Sequence, residues 1–199
     1  MIIIGLTGSI GMGKSLTAAM LRRLGGAVHS ADAVVHRALA VGGDAVTAVA
    51  AQFPPAHLQK AIDRKILGSL VFGQPEKLKQ LEAILHPIVR RAEQDKIALA
   101  RAAGKKFIVL DIPLLFETGA EQRCDVTICV TASAATQRRR VLARPGMTPE
   151  KFAQILAAQM PDTEKRRRAT YSVHTGYGRC AAWLQLQWIL LRLQKFAHG

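Results

Sequence analysis

Eight consecutive residues constrain this chain more than any others. Gly8-Ser9-Ile10-Gly11-Met12-Gly13-Lys14-Ser15 fits G-x-x-x-x-G-K-[S/T], and the pattern sits where it has a structural meaning. Ahead of it, Ile2-Ile3-Ile4-Gly5-Leu6-Thr7 is a short, β-branched, apolar run, which predicts a strand buried on both faces of a parallel sheet. Behind it, Leu16, Met20, Leu21 and Leu24 recur at helical spacing until Gly25-Gly26 stop the helix. A strand, a glycine-rich turn and a helix in that order make a phosphate-binding loop. Gly8 and Gly13 allow backbone torsions that a Cβ would forbid, so successive N–H groups can wrap phosphates at a helix N-terminus. Lys14 then reaches the β- and γ-phosphates of a nucleoside triphosphate, and Ser15 offers its hydroxyl to Mg²⁺.

The rest of the chain alternates strands with helices, which predicts an α/β fold of the P-loop NTPase type: a doubly wound, mainly parallel, five-stranded sheet. Ala27 to Ser30 reads as a second strand ending in Asp32, Phe107 to Leu110 as a third ending in Asp111, and Val126 to Val130 as a fourth; a weak strand covers Ser172 to Thr175. Helices are expected over Val34 to Ala50 with a break at Gly42-Gly43, and over Gln137 to Ala143, Pro149 to Met160, Asp162 to Ala169 and Cys180 to Phe196. Between Asp32 and Gly104 no strand is predicted. Leu78, Leu81, Ile84 and Leu85 step along one helical face there, and Pro54-Pro55, Pro75 and Pro87 punctuate helices. The expected organisation is one domain over 1–199, with a helical insert at 33–104 and a lid at about 138–160. The tail Ala197-His198-Gly199 reads as a frayed end.

Carboxylates at the ends of such strands carry chemistry. Asp111 occupies the position from which a carboxylate holds Mg²⁺, usually through water. Asp32 lies at the ligand-facing edge of the sheet, where it is either a general base taking a proton from a substrate hydroxyl or an N-cap for a helix starting at Ala33. Arg140 and Arg144 flank a turn at Pro145-Gly146 that reads as a mobile lid, whose guanidinium groups would stabilise charge on the transferred phosphoryl group while water is shut out.

The 28 Lys and Arg against 14 Asp and Glu give a net charge of +14, so the partner is expected to be anionic: a phosphate-rich substrate, nucleic acid or an anionic membrane surface. Arg138-Arg139-Arg140 and Arg166-Arg167-Arg168 carry much of the surplus, and such runs are by default solvated helix faces. Aromatic residues are only 5% of the chain and are not interleaved with the basic runs, so a stacking platform for single-stranded nucleic acid is not expected. No apolar run is long enough to span a bilayer. The first residues lack the basic-then-apolar order of a secretory signal, which points to the cytoplasm. Cys124, Cys129 and Cys180 are odd in number, lack metal-ligand spacing and read as buried thiols.

Beyond the loop, the chain resembles the dephospho-coenzyme A kinase family. The likeness rests on Leu6 to Ser15, Ala31-Asp32-Ala33, Ile62-Asp63-Arg64 with Val71-Phe72, Leu81 to Pro87, Asp111-Ile112-Pro113-Leu114-Leu115-Phe116-Glu117, and then Gln137, Arg140, Arg144 and Gln159-Met160-Pro161 in order. The resemblance implies transfer of the γ-phosphoryl group of ATP, with Mg²⁺, to the ribose 3′-hydroxyl of dephospho-coenzyme A. It makes Asp32 the base, with Lys14 and Arg140 also catalytic. Gly8 and Gly11 to Leu16, with Met12 and Gly13 among them, join Arg144 in binding ATP. Arg64, His86, Pro87, Pro113 and Leu114 bind the acceptor beside Asp32, and Ser15 and Asp111 serve the metal. It also makes 1–199 a kinase domain and the 33–104 insert its acceptor-binding region; with no spanning run and few aromatic residues, no specific nucleic acid, membrane or obligate protein partner is expected. Three departures stand out: Ser30 replaces the first carboxylate of an Asp-Ala-Asp sequence, Leu16 replaces a threonine, and Thr170 and Ser172 replace Asp and Val/Ile, which is expected to loosen the late strand. The competing readings are a P-loop kinase for a nucleoside monophosphate or shikimate, and a nucleotide-switched RNA-binding module.

Overall fold

A computed structural model describes residues 1–196, with the side chains of 194–196 left undescribed; the frayed-tail expectation for 197–199 lies outside these residues. The five-stranded sheet has the order β2-β5-β1-β6-β7, formed by β1 (Ile2–Thr7), β2 (Ala27–Ser30), β5 (Phe107–Asp111), β6 (Val126–Thr131) and β7 (Tyr171–His174). β1 pairs in parallel with β5 and β6, and β6 in parallel with β7. Because neighbouring strands run the same way, their carboxyl ends share one edge, which is where an open α/β sheet binds ligands. Register then fixes the chemistry: Leu6 lies opposite Asp111, so that carboxylate stands beside the start of the glycine-rich loop.

The chain forms two compact units, residues 1–29 with 100–199, and residues 30–99. Each has its own core. In the first, Ile4 and Leu6 of β1, Val109 of β5 and Ile128 of β6 pack with Leu21 of α1 (Lys14–Arg23) and with Leu186 and Ile189 of α9 (Arg179–Phe196). Each fully buried aliphatic side chain of this kind contributes about 1.5–3 kcal/mol, an upper bound because unfolded chains also hide apolar area. Its remaining helices are α6 (Ala134–Leu142), α7 (Pro149–Ala157) and α8 (Asp162–Arg168).

The second unit is built from α2 (Ala31–Leu39), α3 (Val46–Gln52), α4 (Arg64–Val71) and most of α5 (Pro75–Ala102), around Leu39, Val49, Phe53, Ile62, Leu67, Leu81 and Leu85. The break between α2 and α3 contains Gly42-Gly43, as expected. Against expectation, this unit holds a small antiparallel hairpin, β3 (His57–Leu58) with β4 (Ala61–Ile62). Its two turn residues, Gln59 and Lys60, both have positive φ (49° and 64°), the torsions of a two-residue hairpin turn. Neither is the Asn or Gly that normally signals such a turn, which is why the sequence pattern does not reveal it. Pro87 also departs from the reading: it lies inside α5 and does not end it. Its missing N–H leaves the carbonyl of Ala83 without a helical donor, and both residues are exposed, so water can serve that carbonyl.

The cysteines are not all buried. Cys129 is, and burial pushes its thiol up to about 12; Cys124 is half-buried and Cys180 is exposed at the start of α9. Thr170, expected to loosen β7, ties its entry to β6. The Thr127 N–H donates to Thr170 Oγ1 at 3.1 Å and the Thr170 N–H donates to Thr127 Oγ1 at 3.0 Å.

Candidate active site

The glycine-rich loop runs from the end of β1 to the start of α1, and its shape follows from crowding on one side. A Cβ on Gly8 would lie 2.6 Å from the carbonyl oxygen of Val130, closer than atoms can approach. Gly13 has φ 99° and precedes α1 with no side-chain cap, so the first N–H groups of the helix have no side-chain partner and remain available to an anion. The loop's own carbonyls, by contrast, are taken. Gln137 Nε2 donates to the Ile10 carbonyl at 2.8 Å, Thr175 Oγ1 to the Met12 carbonyl at 2.6 Å, and Arg140 Nη1 to the Gly11 carbonyl at 3.4 Å. On the same side the Ile10 N–H donates to Gln159 Oε1 at 3.1 Å. Met12 is buried and its Sδ accepts from the Ala132 N–H at 3.1 Å.

Lys14 Nζ and Asp111 Oδ1 form an ion pair at 2.5 Å, with side chains 15% and 11% exposed. This brings the loop lysine and the strand-end carboxylate of the sequence reading into direct contact. Ser15, next along α1, is exposed and its hydroxyl makes no hydrogen bond among the described residues; Leu16 is also exposed. Hydroxyl and carboxylate oxygens are the hard donors that Mg²⁺ prefers, and Mg²⁺ commonly takes few protein ligands, the remainder being water and substrate phosphate. Ser15 and Asp111 therefore fit that ion.

The two arginines that the sequence reading assigns to a lid differ. Arg140 is fastened inward: Nη1 donates to Thr175 Oγ1 at 2.8 Å and Nη2 to the Thr175 carbonyl at 2.9 Å. Arg144, just past α6, is exposed, and its side chain has no such partner among the described residues. The Pro113 carbonyl accepts from Thr7 Oγ1 and from Lys165 Nζ, each at 3.0 Å, while Leu114 is exposed beside it. Lys165, wholly buried, also pairs with Glu117 Oε1 at 2.8 Å, and the Met160 N–H donates to the same oxygen at 2.9 Å. Burial alone would raise the Glu117 carboxyl, but the bonds from Lys165 and Met160 outweigh it and hold it below its ordinary value.

In the second unit, Asp32 does not end a strand. β2 stops at Ser30, whose Oγ accepts from the Ala33 N–H at 3.3 Å and caps α2, leaving Asp32 exposed in the first turn. The N-cap role weighed for Asp32 thus belongs to Ser30, the residue that departs from the family pattern. His36 lies one turn beyond Asp32 on the same side of α2, and its Nδ1 is 3.1 Å from Arg64 Nη1. Arg64 starts α4, whose cap is Asp63. His86 is exposed on α5. Pro87 lines a cleft of about 570 Å³ with Val34, Arg37, Ala38, Ile88 and Arg91, within the size range of small-molecule sites.

With this geometry in hand, comparison with known proteins is decisive. A family model for dephospho-CoA kinase matches residues 2–177. The chain belongs to the dephospho-CoA kinase family. It is 58% identical over 164 residues to the dephospho-CoA kinase of Paramagnetospirillum magneticum, covering 82% of this chain and 77% of that one. With the dephospho-CoA kinase of Mesorhizobium japonicum it shares 50% identity over 194 residues, 98% of each chain. Among solved structures, the dephospho-CoA kinase from Campylobacter jejuni superposes with a TM-score of 0.70 at 26% identity, over 98% of both chains.

In this dephospho-CoA kinase family member, sequence reasoning missed three contributors: Thr175, His36 and Lys165. Thr175 follows β7 at the ligand-facing edge of the sheet, a position that could have flagged it. Lys165 opens the run Lys165-Arg166-Arg167-Arg168 and looks like a solvated charge. The three arginines behind it do behave that way, pairing with Asp162 and Glu164 on the same helix.

Proposed function

We propose that this chain transfers the γ-phosphoryl group of ATP to the ribose 3′-hydroxyl of dephospho-CoA, yielding CoA and ADP. The observation that carries this is the family match over residues 2–177, which includes a loop whose carbonyls are engaged and whose helix-start N–H groups are left for phosphate. In this reading Gly8 and residues 11–16 hold ATP, and Lys14 exchanges Asp111 for the β- and γ-phosphates. Ser15 and Asp111 would hold Mg²⁺, which when bound would neutralise charge on those phosphates. Asp32 accepts the proton of the attacking hydroxyl. Arg140, fixed by Thr175, and Arg144, drawn in by the ligand, balance charge on the transferred group.

The acceptor is assigned to the second unit. Arg64 and His36 beside Asp32 provide donors for its anionic groups, and the cleft at Pro87 offers apolar walls flanked by Arg37 and Arg91 together with Asp44 and Asp95. His86 contributes a further polar contact. Pro113 and Leu114 belong to the first unit, and with the Pro113 carbonyl taken by two donors their proposed contribution to acceptor binding is apolar contact. The place of action is proposed to be the cytoplasm; no helix among the described residues is long and apolar enough to cross a membrane.

ADP release from Mg-ATP tests the reading directly, with dephospho-CoA, AMP, CMP, shikimate or no acceptor. Release only with dephospho-CoA, and a product phosphorylated on the ribose 3′-oxygen, is expected. Release with another acceptor would retain a P-loop kinase and discard this substrate. The absence of stimulation by any acceptor would discard the activity.

A further inference from the structure

The net charge of +14 is not used up by two phosphate-bearing substrates, and one surface combines unpaired cations with exposed apolar side chains. α9 is apolar on opposite sides. Ala182, Leu186, Ile189, Leu190 and Leu193 are buried against the sheet unit, whereas Leu184, Trp188 and Leu191 are 64%, 50% and 61% exposed. Their spacing of four and three residues puts these three in one line along the outer face. A helix apolar on both sides is normally covered on both, and a contiguous exposed apolar patch marks an interaction surface. The patch continues into a groove of about 710 Å³ between α1 and α9, lined by Leu16, Met20, Trp183 and Leu184, with Arg23 and Arg179 beside them.

Charge identifies what fits this surface. Neither α1 nor α9 contains an Asp or Glu, while Arg22, Arg23, Arg179 and Arg192 are all exposed. The Arg192 guanidinium lies 4.2 Å from the centroid of the Trp188 ring, and that ring meets Tyr171 edge-on at 6.3 Å between centroids. A second copy of this chain would bring +14 against +14 and set arginines against arginines. Nucleic acid would satisfy the arginines and leave the leucines in water. An anionic bilayer surface satisfies both, taking the apolar line into the headgroup boundary and the arginines onto lipid phosphates. We propose that the outer face of α9, with the adjoining end of α1, docks reversibly on anionic membrane surfaces. The expectation of no membrane partner came from the lack of a spanning segment, and a helix lying on the surface needs none. This proposal does not rest on the kinase reading.

Co-sedimentation of the full chain with phosphatidylcholine vesicles, with and without phosphatidylglycerol, tests it. Binding is expected only with the anionic lipid and should weaken as salt rises. Leu184→Gln/Leu191→Gln, both at exposed positions, should reduce vesicle affinity at least about tenfold while leaving the thermal midpoint unchanged. In a Trp183→Phe background, emission from Trp188 should shift to shorter wavelength on binding. Anionic vesicle binding unchanged in the double variant would mean charge alone acts and would overturn the proposal. So would no binding to anionic vesicles, an unshifted Trp188, or a dimer in light scattering that the double variant abolishes while vesicles are ignored. RNA binding stronger than vesicle binding and indifferent to the two leucines would overturn it as well.

Discussion

The unit around the phosphate loop and the unit of residues 30–99 treat their candidate functional groups differently. In the first, Gln137, Arg140 and Thr175 fasten the loop carbonyls, Asp111 holds Lys14, and Lys165 with Thr7 holds the Pro113 carbonyl. In the second, Asp32, Arg64 and His86 are exposed on helices, and Arg64 meets His36. A polyphosphate is recognised by fixed N–H groups and cations, so its site gains from preorganisation. A long acceptor with several functional groups can be met by mobile side chains that settle on binding. The difference teaches that the groups proposed for the nucleotide are fastened in place in the first unit, whereas those proposed for the acceptor stand exposed in the second.

That contrast can be broken by mutation. The largest effect is expected from Asp32→Asn, which keeps shape and removes the proton acceptor: kcat should fall by about 10²–10⁴-fold with ATP affinity nearly intact. Near-normal turnover would take Asp32 out of the mechanism. Next comes Lys165→Ala, which leaves the Pro113 carbonyl and Glu117 without their cation and should cost about 3–5 kcal/mol in denaturant unfolding. The same pair sets an acid limit. Glu117 is held below its ordinary 4.5, so its contribution is full above that pH and is lost as pH falls through the lower folded value. Unfolding midpoints measured from pH 6 downward should therefore decline for the native chain and decline less for Lys165→Ala, and parallel curves would refute the assignment. The smallest effect sharpens the comparison: Thr175→Val should raise KM for ATP by about tenfold through one lost hydrogen bond to each of Met12 and Arg140. Thr175→Ser should restore it. A fall in thermal stability without a change in KM would make Thr175 merely structural.

Much of this was legible in the sequence because it rests on short-range chemistry. The strand-loop-helix order of residues 2–24 and the apolar runs ending at Asp111 and Val130 follow from local pattern, and the sheet obeys them. What was not legible depended on partners distant in the chain. Lys165 and Thr175 are assigned by what they touch 52 and 163 residues away, and no spacing announces that. The hairpin at 57–62 was hidden because Gln59 and Lys60 adopt left-handed torsions without the residues that favour them. Asp32 lies two residues past the end of β2 for a local reason: Ser30 supplies the cap, so the helix begins before the carboxylate.

ATP is proposed to be held by the first unit, and the anionic groups of the acceptor by Arg64 and its neighbours in the second. Steady-state titration of both substrates against Lys14→Ala and Arg64→Ala tests it most directly. Lys14→Ala should raise KM for ATP and lower kcat with KM for dephospho-CoA little changed, and Arg64→Ala should raise KM for dephospho-CoA alone. An Arg64→Ala enzyme impaired toward ATP, with its acceptor KM unchanged, would contradict it.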